Sequence, residues 1–326
     1  MPRRLANLVL LAAIATLLGT GVVAWLLPEG SAAPLFFAHR VAGLALVLGA
    51  GWKYAIARRS LHRRGLGGLT TWLGLLTAIA AVAATGIGLA WTIGIVSFDR
   101  PLSYSALSLH VIAGLALSIL VVVHALVRGE HRPSLISLAG RRSVLRGLGL
   151  LAASLAVSVA IDQIALARRL TGSRHAGSFT GNAFPTTIWA FDAVPIVTAT
   201  DWRLRLAGAL PRPAELTYAQ IQNLPRHEVS AVLDCTGGWW SEQLWSGVRV
   251  GDLLASYGAE SARQIEVISV TGHRWTFDRT EVEQALLATH VQGEPLSPAH
   301  GYPLRLVVPG RRGFLWIKWV SELVVA

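Results

Sequence analysis

Apolar residues follow two different rhythms along the chain. Up to residue 167 they come in long blocks: 5–27, 35–57, 69–95, 105–127 and 144–166 each exceed 20 residues and are nearly free of charge. Blocks of that length span a bilayer as helices. The first is too long for the apolar core of a signal peptide and no cleavage-like site follows it, so it reads as a permanent helix. Beyond residue 167 the rhythm shortens. Residues 168–184 are polar and rich in Gly and Ser, as linkers are. Alternating runs at 202–206, 229–233, 264–270, 304–308 and 314–319 predict strands, and 251–257 and 279–287 predict short helices. That mixed order implies α+β, and about 140 residues suffice for one core. The pattern predicts an α-helical membrane bundle of five transmembrane helices followed by an α+β domain. The divisions are 1–140 (four helices), 141–167 (the fifth), 168–183 (linker) and 184–326.

Charge sharpens this picture. The chain is 53% apolar and only 14% charged, with a net charge of +11. Residues 1–167 hold 14 basic and 4 acidic side chains, or +10, and residues 168–326 hold 15 and 14, or +1. The excess lies between apolar blocks, where it is a topology signal and argues against nucleic acid as a partner. Arg3 and Arg4 precede the first block, Arg58, Arg59, Arg63 and Arg64 follow the second, and Arg128, Arg132, Arg141 and Arg142 lie between the fourth and fifth. The positive-inside rule places the N-terminus in the cytoplasm and everything after the fifth helix outside the inner membrane. Gly140-Arg141-Arg142-Ser143-Val144-Leu145-Arg146 resembles a twin-arginine export signal, which would carry a folded domain across.

Polar residues within the blocks carry the first chemistry. His39-Arg40-Val41-Ala42-Gly43 in the second block is echoed by His110-Val111-Ile112-Ala113-Gly114 in the fourth. The histidines are the fifth and sixth residues of their spans, so both imidazoles sit at nearly one depth and suit a haem iron. Gly43 and Gly114 would let a flat macrocycle approach. His124 follows His110 by 14 residues, returning to nearly the same face about 21 Å deeper. This resembles the di-haem pattern of membrane b-type cytochromes and ferric-reductase-like proteins, with one departure. Fourteen residues after His39 stands Lys53. The resemblance implies one haem b on His39 and His110, with His124 and Lys53 as candidates for a second. Lys53 also reads as a lysine snorkelling to water, and His62 and His131 read as solvated. Met1 is the only methionine and no Cys-x-x-Cys-His occurs, which excludes an axial methionine and a c-type haem.

The second chemistry centres on Cys235, the only cysteine, in Val232-Leu233-Asp234-Cys235-Thr236-Gly237-Gly238-Trp239-Trp240. It has no partner for an internal disulfide, and a thiolate on a Gly-rich turn is a good soft-metal ligand. Three further stretches follow, Trp245 to Leu254, His300 to Gly310 (with His300-Gly301-Tyr302-Pro303-Leu304-Arg305 at its start) and Trp316-Ile317-Lys318-Trp319-Val320. In order and spacing the four resemble the molybdopterin-binding domain of the sulfite oxidase superfamily. That resemblance implies Cys235 as the molybdenum ligand and catalytic centre, with His300, Arg305 and Lys318 on the pterin and its phosphate. Thr271, or equally Ser269, lies near the hydroxyl position, and Arg312 is a further cofactor candidate that reads equally as surface polarity, as does His273. His175, His227 and His290 read as surface, and Trp239 as core or as a wall shaping substrate access. The dimerisation and haem-b5 domains of the larger sulfite oxidases have no counterpart in this pattern. The nearer resemblance is to small periplasmic molybdopterin reductases acting on oxidised methionine. It implies a membrane-anchored oxidoreductase exchanging electrons between quinone and a small extracytoplasmic substrate through haem b, most simply reducing an S-oxide or N-oxide. Oxidation of sulfite or a similar compound is the alternative, and a non-catalytic module without cofactor the second.

Overall fold

The computed structural model describes residues 3–64, 68–96, 105–128, 141–164, 169–188 and 193–326. The chain forms two compact units, Met1–Gly172 and Ser173–Ala326. In the first, the helices are α1 (Arg3–Leu26), α2 (Glu29–Arg64), α3 (Leu69–Ile93), α4 (Ala106–Arg128) and α5 (Arg141–Ile164). All five are long and apolar enough to cross a membrane. Helix α1 packs along α2, α3 along α4, and α5 against α2. Buried Ala13, Leu46 and Leu117, with Ile14 and Ala81 against them, join α1 to α4 in one core. Leu11, Ile79, Val82, Ile119 and Val122 are exposed, so apolar side chains cover the outside of this unit as well. A bidentate ion pair joins Arg40 on α2 to Asp162 on α5, at 2.7 and 2.9 Å. His131 lies outside the described residues, as do the side chains of His62 and Arg141.

The second unit holds two sheets. Its elements are β1 (Arg174–His175), β2 (Arg203–Gly208), β3 (Ala214–Thr217), α6 (Tyr218–Gln222), β4 (His227–Asp234), β5 (Trp239–Arg249), α7 (Val250–Ser256), β6 (Gln264–Ser269), β7 (Arg274–Asp278), α8 (Arg279–Val282), β8 (Leu286–Val291), β9 (Glu294–Pro295), β10 (Arg305–Val307) and β11 (Val320–Val325). One sheet runs β1-β5-β8-β10, with β4 also on β5 and β9 on β8; the other runs β3-β2-β11-β6-β7. All pairs are antiparallel except β1 with β5 and β2 with β11.

Three expectations are corrected. The helix predicted over 279–287 stops at Val282, and β8 begins at Leu286. The run Leu286-Leu287-Ala288 is buried between β5 and β10, and a continuous apolar run does not distinguish buried strand from helix. The strand predicted over 314–319 is a 3₁₀ turn at Gly313–Leu315 followed by irregular chain. Ile317 and Val320 bond to the β10 region, but Trp319 between them has φ 52°, a left-handed conformation that breaks a ladder. The stretch read as linker is also built into the fold. Arg174 donates to Gly238, Ala176 to Trp240 and Phe179 to Glu242, so the chain is strapped along β5 from the first residues of the unit.

Candidate functional site

Cys235 sits on the turn joining β4 to β5. The turn closes through Cys235 N–H to the Trp239 carbonyl (2.8 Å) and Gly238 N–H to the Cys235 carbonyl (3.0 Å). Gly238 has φ +92°, which L side chains rarely adopt. A Cβ on Gly237 would lie 2.9 Å from Thr187 Oγ1, and one on Gly313 would lie 3.1 Å from Cys235 Cα. The sulfur is therefore presented on a turn closely packed from two sides. Gly237 N–H donates to Sγ at 3.3 Å. Thr187 Oγ1 lies 3.3 Å from Sγ and accepts from Trp239 Nε1 at 3.1 Å.

The segment 184–187 gathers the other predicted residues. Lys318 Nζ donates to the carbonyls of Thr187 (3.0 Å) and Ala299 (2.8 Å). His300 Nε2 donates to the Phe184 carbonyl (2.9 Å), and Nδ1 pairs with Ser297 Oγ (2.7 Å). Burial pushes the His300 pKa down to about 4, with Arg305 and Lys318 adding to the effect against the Phe184 bond. The ring is neutral at pH 7, which fits Nε2 as its N–H and Nδ1 as acceptor. Gly301, at φ +111°, lets 300–305 pass Lys318: a Cβ there would lie 3.2 Å from both Arg305 Cβ and Lys318 Cβ.

Arg305 is 2% exposed and lies 5.3 Å from the Trp245 ring and 5.9 Å from the Trp316 ring. Its Nη1 donates to the His300 carbonyl at 2.9 Å, while its buried Nε has no partner among the described residues. Burial lowers its pKa to about 10 and the nearby Cys235 sulfur opposes that, so the guanidinium stays charged at neutral pH. A buried cation with an unsatisfied donor calls for an anion. A pterin phosphate and a metal-bound thiolate are anions of the right kind, so these residues fit a molybdopterin. Arg305 and Lys318 would hold it, and Cys235 would ligate the metal.

Arg312 is not surface polarity. It and Asp234 are each 1% exposed, and they pair at 2.7 Å directly behind Cys235. Ser173 Oγ donates to the same Asp234 oxygen at 2.6 Å. Thr271 and Ser269 share the β6–β7 turn, 3.3 Å apart, and Val270 between them donates to the Trp319 carbonyl. His273 bonds the Phe314 carbonyl. Trp239 is 4% exposed, with its ring 5.8 Å from Phe184, so it is core. His227 pairs with Asp252 at 2.8 Å. Thr187, Phe184, Asp234 and Ser173 escaped the sequence reading. Only Asp234, an acid ending an apolar strand, offered a signal.

In the helical unit, the rings of His39 and His110 lie 6.1 Å apart between centroids, at 74°. His39 Nδ1 pairs with Thr20 Oγ1 (3.1 Å) and His110 Nδ1 donates to the Ala84 carbonyl (2.8 Å). Each ring keeps Nε2 outside those bonds. Metal–imidazole bonds of about 2 Å on both sides, plus the ring radii, come to roughly 6 Å, so the spacing fits an iron between them. The glycines against these rings are Gly21 and Gly88, and Gly74 stands against His124. Gly43 and Gly114 approach no histidine. Lys53 donates to Asn7 Oδ1. Among the described residues, no group of three or more His, Cys, Asp or Glu could hold a metal ion.

Residues 191–326 match the family described as "Oxidoreductase molybdopterin binding domain". The uncharacterized oxidoreductase YuiH of Bacillus subtilis is 33% identical over 130 residues, covering 38% of this chain and 65% of its own length. The mitochondrial sulfite oxidase of Drosophila melanogaster is 29% identical over 164 residues, 41% of this chain and 28% of that protein. The sulfane dehydrogenase SoxCD of Paracoccus pantotrophus is a solved structure that overlaps 40% of each chain at 27% identity and a TM-score of 0.39. The chain spans less than two thirds of each of these proteins. The matched region contains Cys235, Thr271, His300, Arg305, Arg312 and Lys318. Residues 191–326 thus match an oxidoreductase domain that binds molybdopterin, and the same stretch is similar to part of a sulfite oxidase.

Proposed function

We propose that this chain is a membrane-anchored oxidoreductase that exchanges electrons between a quinone pool and an extracytoplasmic small molecule through haem b, reducing an S-oxide or N-oxide. The reading rests on two groups of residues in one chain, each suited to hold a redox cofactor. One is the Cys235 turn with its buried Arg305, and the other is the His39–His110 pair at 6.1 Å. Five helices of spanning length and apolar outer surface support the membrane anchor, and the arginine distribution supports an outer catalytic domain. The Arg141-Arg142 pair supports export in the folded state.

Bound molybdenum supplies oxygen-atom transfer with a two-electron change, and bound haem supplies one-electron transfer. The chain supplies the rest. Cys235 is held for ligation by the closed turn, and the Gly237 N–H stabilises negative charge on its sulfur. Arg305 adds a fixed positive charge that water does not screen. Lys318, anchored on two carbonyls, presents a second cation, and neutral His300 ties the Pro298–His300 turn to Phe184. In the membrane, Thr20 and the Ala84 carbonyl fix the orientation of the two imidazoles.

The test is optical. Protein purified in detergent is reduced with a short-chain quinol, then methionine sulfoxide or trimethylamine N-oxide is added. Reoxidation of the haem, absent in Cys235→Ser, is expected. The similarity to sulfite oxidase favours a second reading, oxidation of sulfite. Reduction of oxidised haem by sulfite, with no response to either oxide, would establish that direction instead.

A further inference from the structure

Helices α1 to α4 are stacked in layers seven residues apart. The first layer is Gly21, His39, Gly88 and His110. A Cβ on Gly21 would lie 3.3 Å from His39 Cε1, and one on Gly88 would lie 2.9 Å from His110 Cε1 and Nδ1. Seven residues along each helix come Ile14, Leu46, Ala81 and Leu117, which all belong to the apolar core of the unit. Seven more bring Asn7, Lys53, Gly74 and His124. There a Cβ on Gly74 would lie 3.3 Å from His124 Cε1.

The two polar layers therefore share one plan. The α3–α4 hairpin repeats it in full, a glycine on the first helix against a histidine on the second. The α1–α2 hairpin keeps it only in the first layer. In the third, Asn7 replaces the glycine and Lys53 the histidine, and the two are hydrogen-bonded to each other. Both changes oppose a haem. Asn7 carries a side chain where the first layer has Gly21, whose missing Cβ leaves room for the His39 ring. An amine must also lose its proton before it ligates iron, whereas Lys53 stands as donor to an amide oxygen.

We infer that the Asn7–Lys53 pair closes this layer to haem, so that the bundle holds a single haem, on His39 and His110, and gives no relay from one membrane face to the other. The inference rests on the cytochrome reading proposed above. It goes further in assigning Asn7 and Lys53 as the residues that exclude a second haem about 21 Å along the bundle.

The experiment counts haem in the full chain purified in detergent, by extraction as the pyridine complex against amino-acid analysis. About one haem per chain is expected in the wild type. Lys53→Ala and His124→Ala should leave that ratio unchanged, and His39→Ala should abolish it. Asn7→Gly combined with Lys53→His restores the plan and should raise the ratio toward two. A wild-type ratio near two that falls to one in both Lys53→Ala and His124→Ala would overturn the inference. So would a folded double variant that still binds one. If the double variant does not fold, the single variants decide the question alone. A wild type with no haem at all would remove the cytochrome reading itself, an outcome distinct from the other two.

Discussion

Replacing Asp234 by alanine breaks the ion pair with Arg312. Both side chains are 1% exposed and 2.7 Å apart, so the substitution takes a carboxylate away from a buried guanidinium. Breaking a buried ion pair from one side costs about 3–5 kcal/mol. The hydrogen bond from Ser173 goes with it, worth about 1 kcal/mol. For a domain of this size each kcal/mol moves the melting temperature by about 2–4 °C, so a drop of roughly 8–24 °C is expected. Tryptophan fluorescence suits the assay, because eight of the 12 tryptophans lie in 173–326. Asp234→Leu with Arg312→Met removes both charges and should recover most of the stability. It should still lose turnover, since Asp234 adjoins Cys235 and helps to fix its turn. A shift below about 2 °C for Asp234→Ala, or a double variant as unstable as the two single changes added together, would refute the reasoning.

Cys235→Ser should abolish turnover while the melting curve and haem spectrum stay as in the wild type, measured by activity assay beside the spectra. Gly88→Ala places a Cβ 2.9 Å from His110 and should lower haem content several-fold, whereas Gly86→Ala, with nothing within 4 Å, should not. His300 titrates near 4 when folded and near 6.5 when unfolded, so the unfolded chain takes up its proton first as pH falls. Its contribution to stability is complete above pH 6.5 and is lost towards pH 4, at up to about 1.4 kcal/mol per pH unit. Denaturation midpoints between pH 4 and 7 should show that slope in the wild type and a flatter one in His300→Gln.

The helical unit was readable because a bilayer-length apolar run is a strong signal, and all five helices fall on the predicted blocks. What the blocks concealed is which helix faces lean on each other. Gly21 and Gly88 stand against the histidines from helices α1 and α3, and no periodicity in α2 or α4 points to them. In the second unit the motif residues converge, but Thr187 and Phe184 contribute through a hydroxyl and main-chain carbonyls. A carbonyl is present at every residue, so composition carries no trace of it. Strand β5 was visible only as motif residues, because its buried positions include polar Ser241 and Gln243 and the apolar alternation is lost.

Strand β11 has a consequence for how the domain assembles. It is the middle strand of five, with β2 on one side and the β6–β7 hairpin on the other. Its partner at Glu322 is Arg205, 117 residues earlier. Neither half of this sheet completes itself from local sequence. Both wait with an open strand edge until residues 320–325 slide between them. Such long-range closure is slow, and open edges invite pairing with other chains. Lys318, one of the two cations that would hold a molybdopterin, lies just ahead of that strand. A chain in synthesis thus acquires its last sheet ladder and this part of its cofactor cradle in the same late step, and until then it depends on being kept from its neighbours.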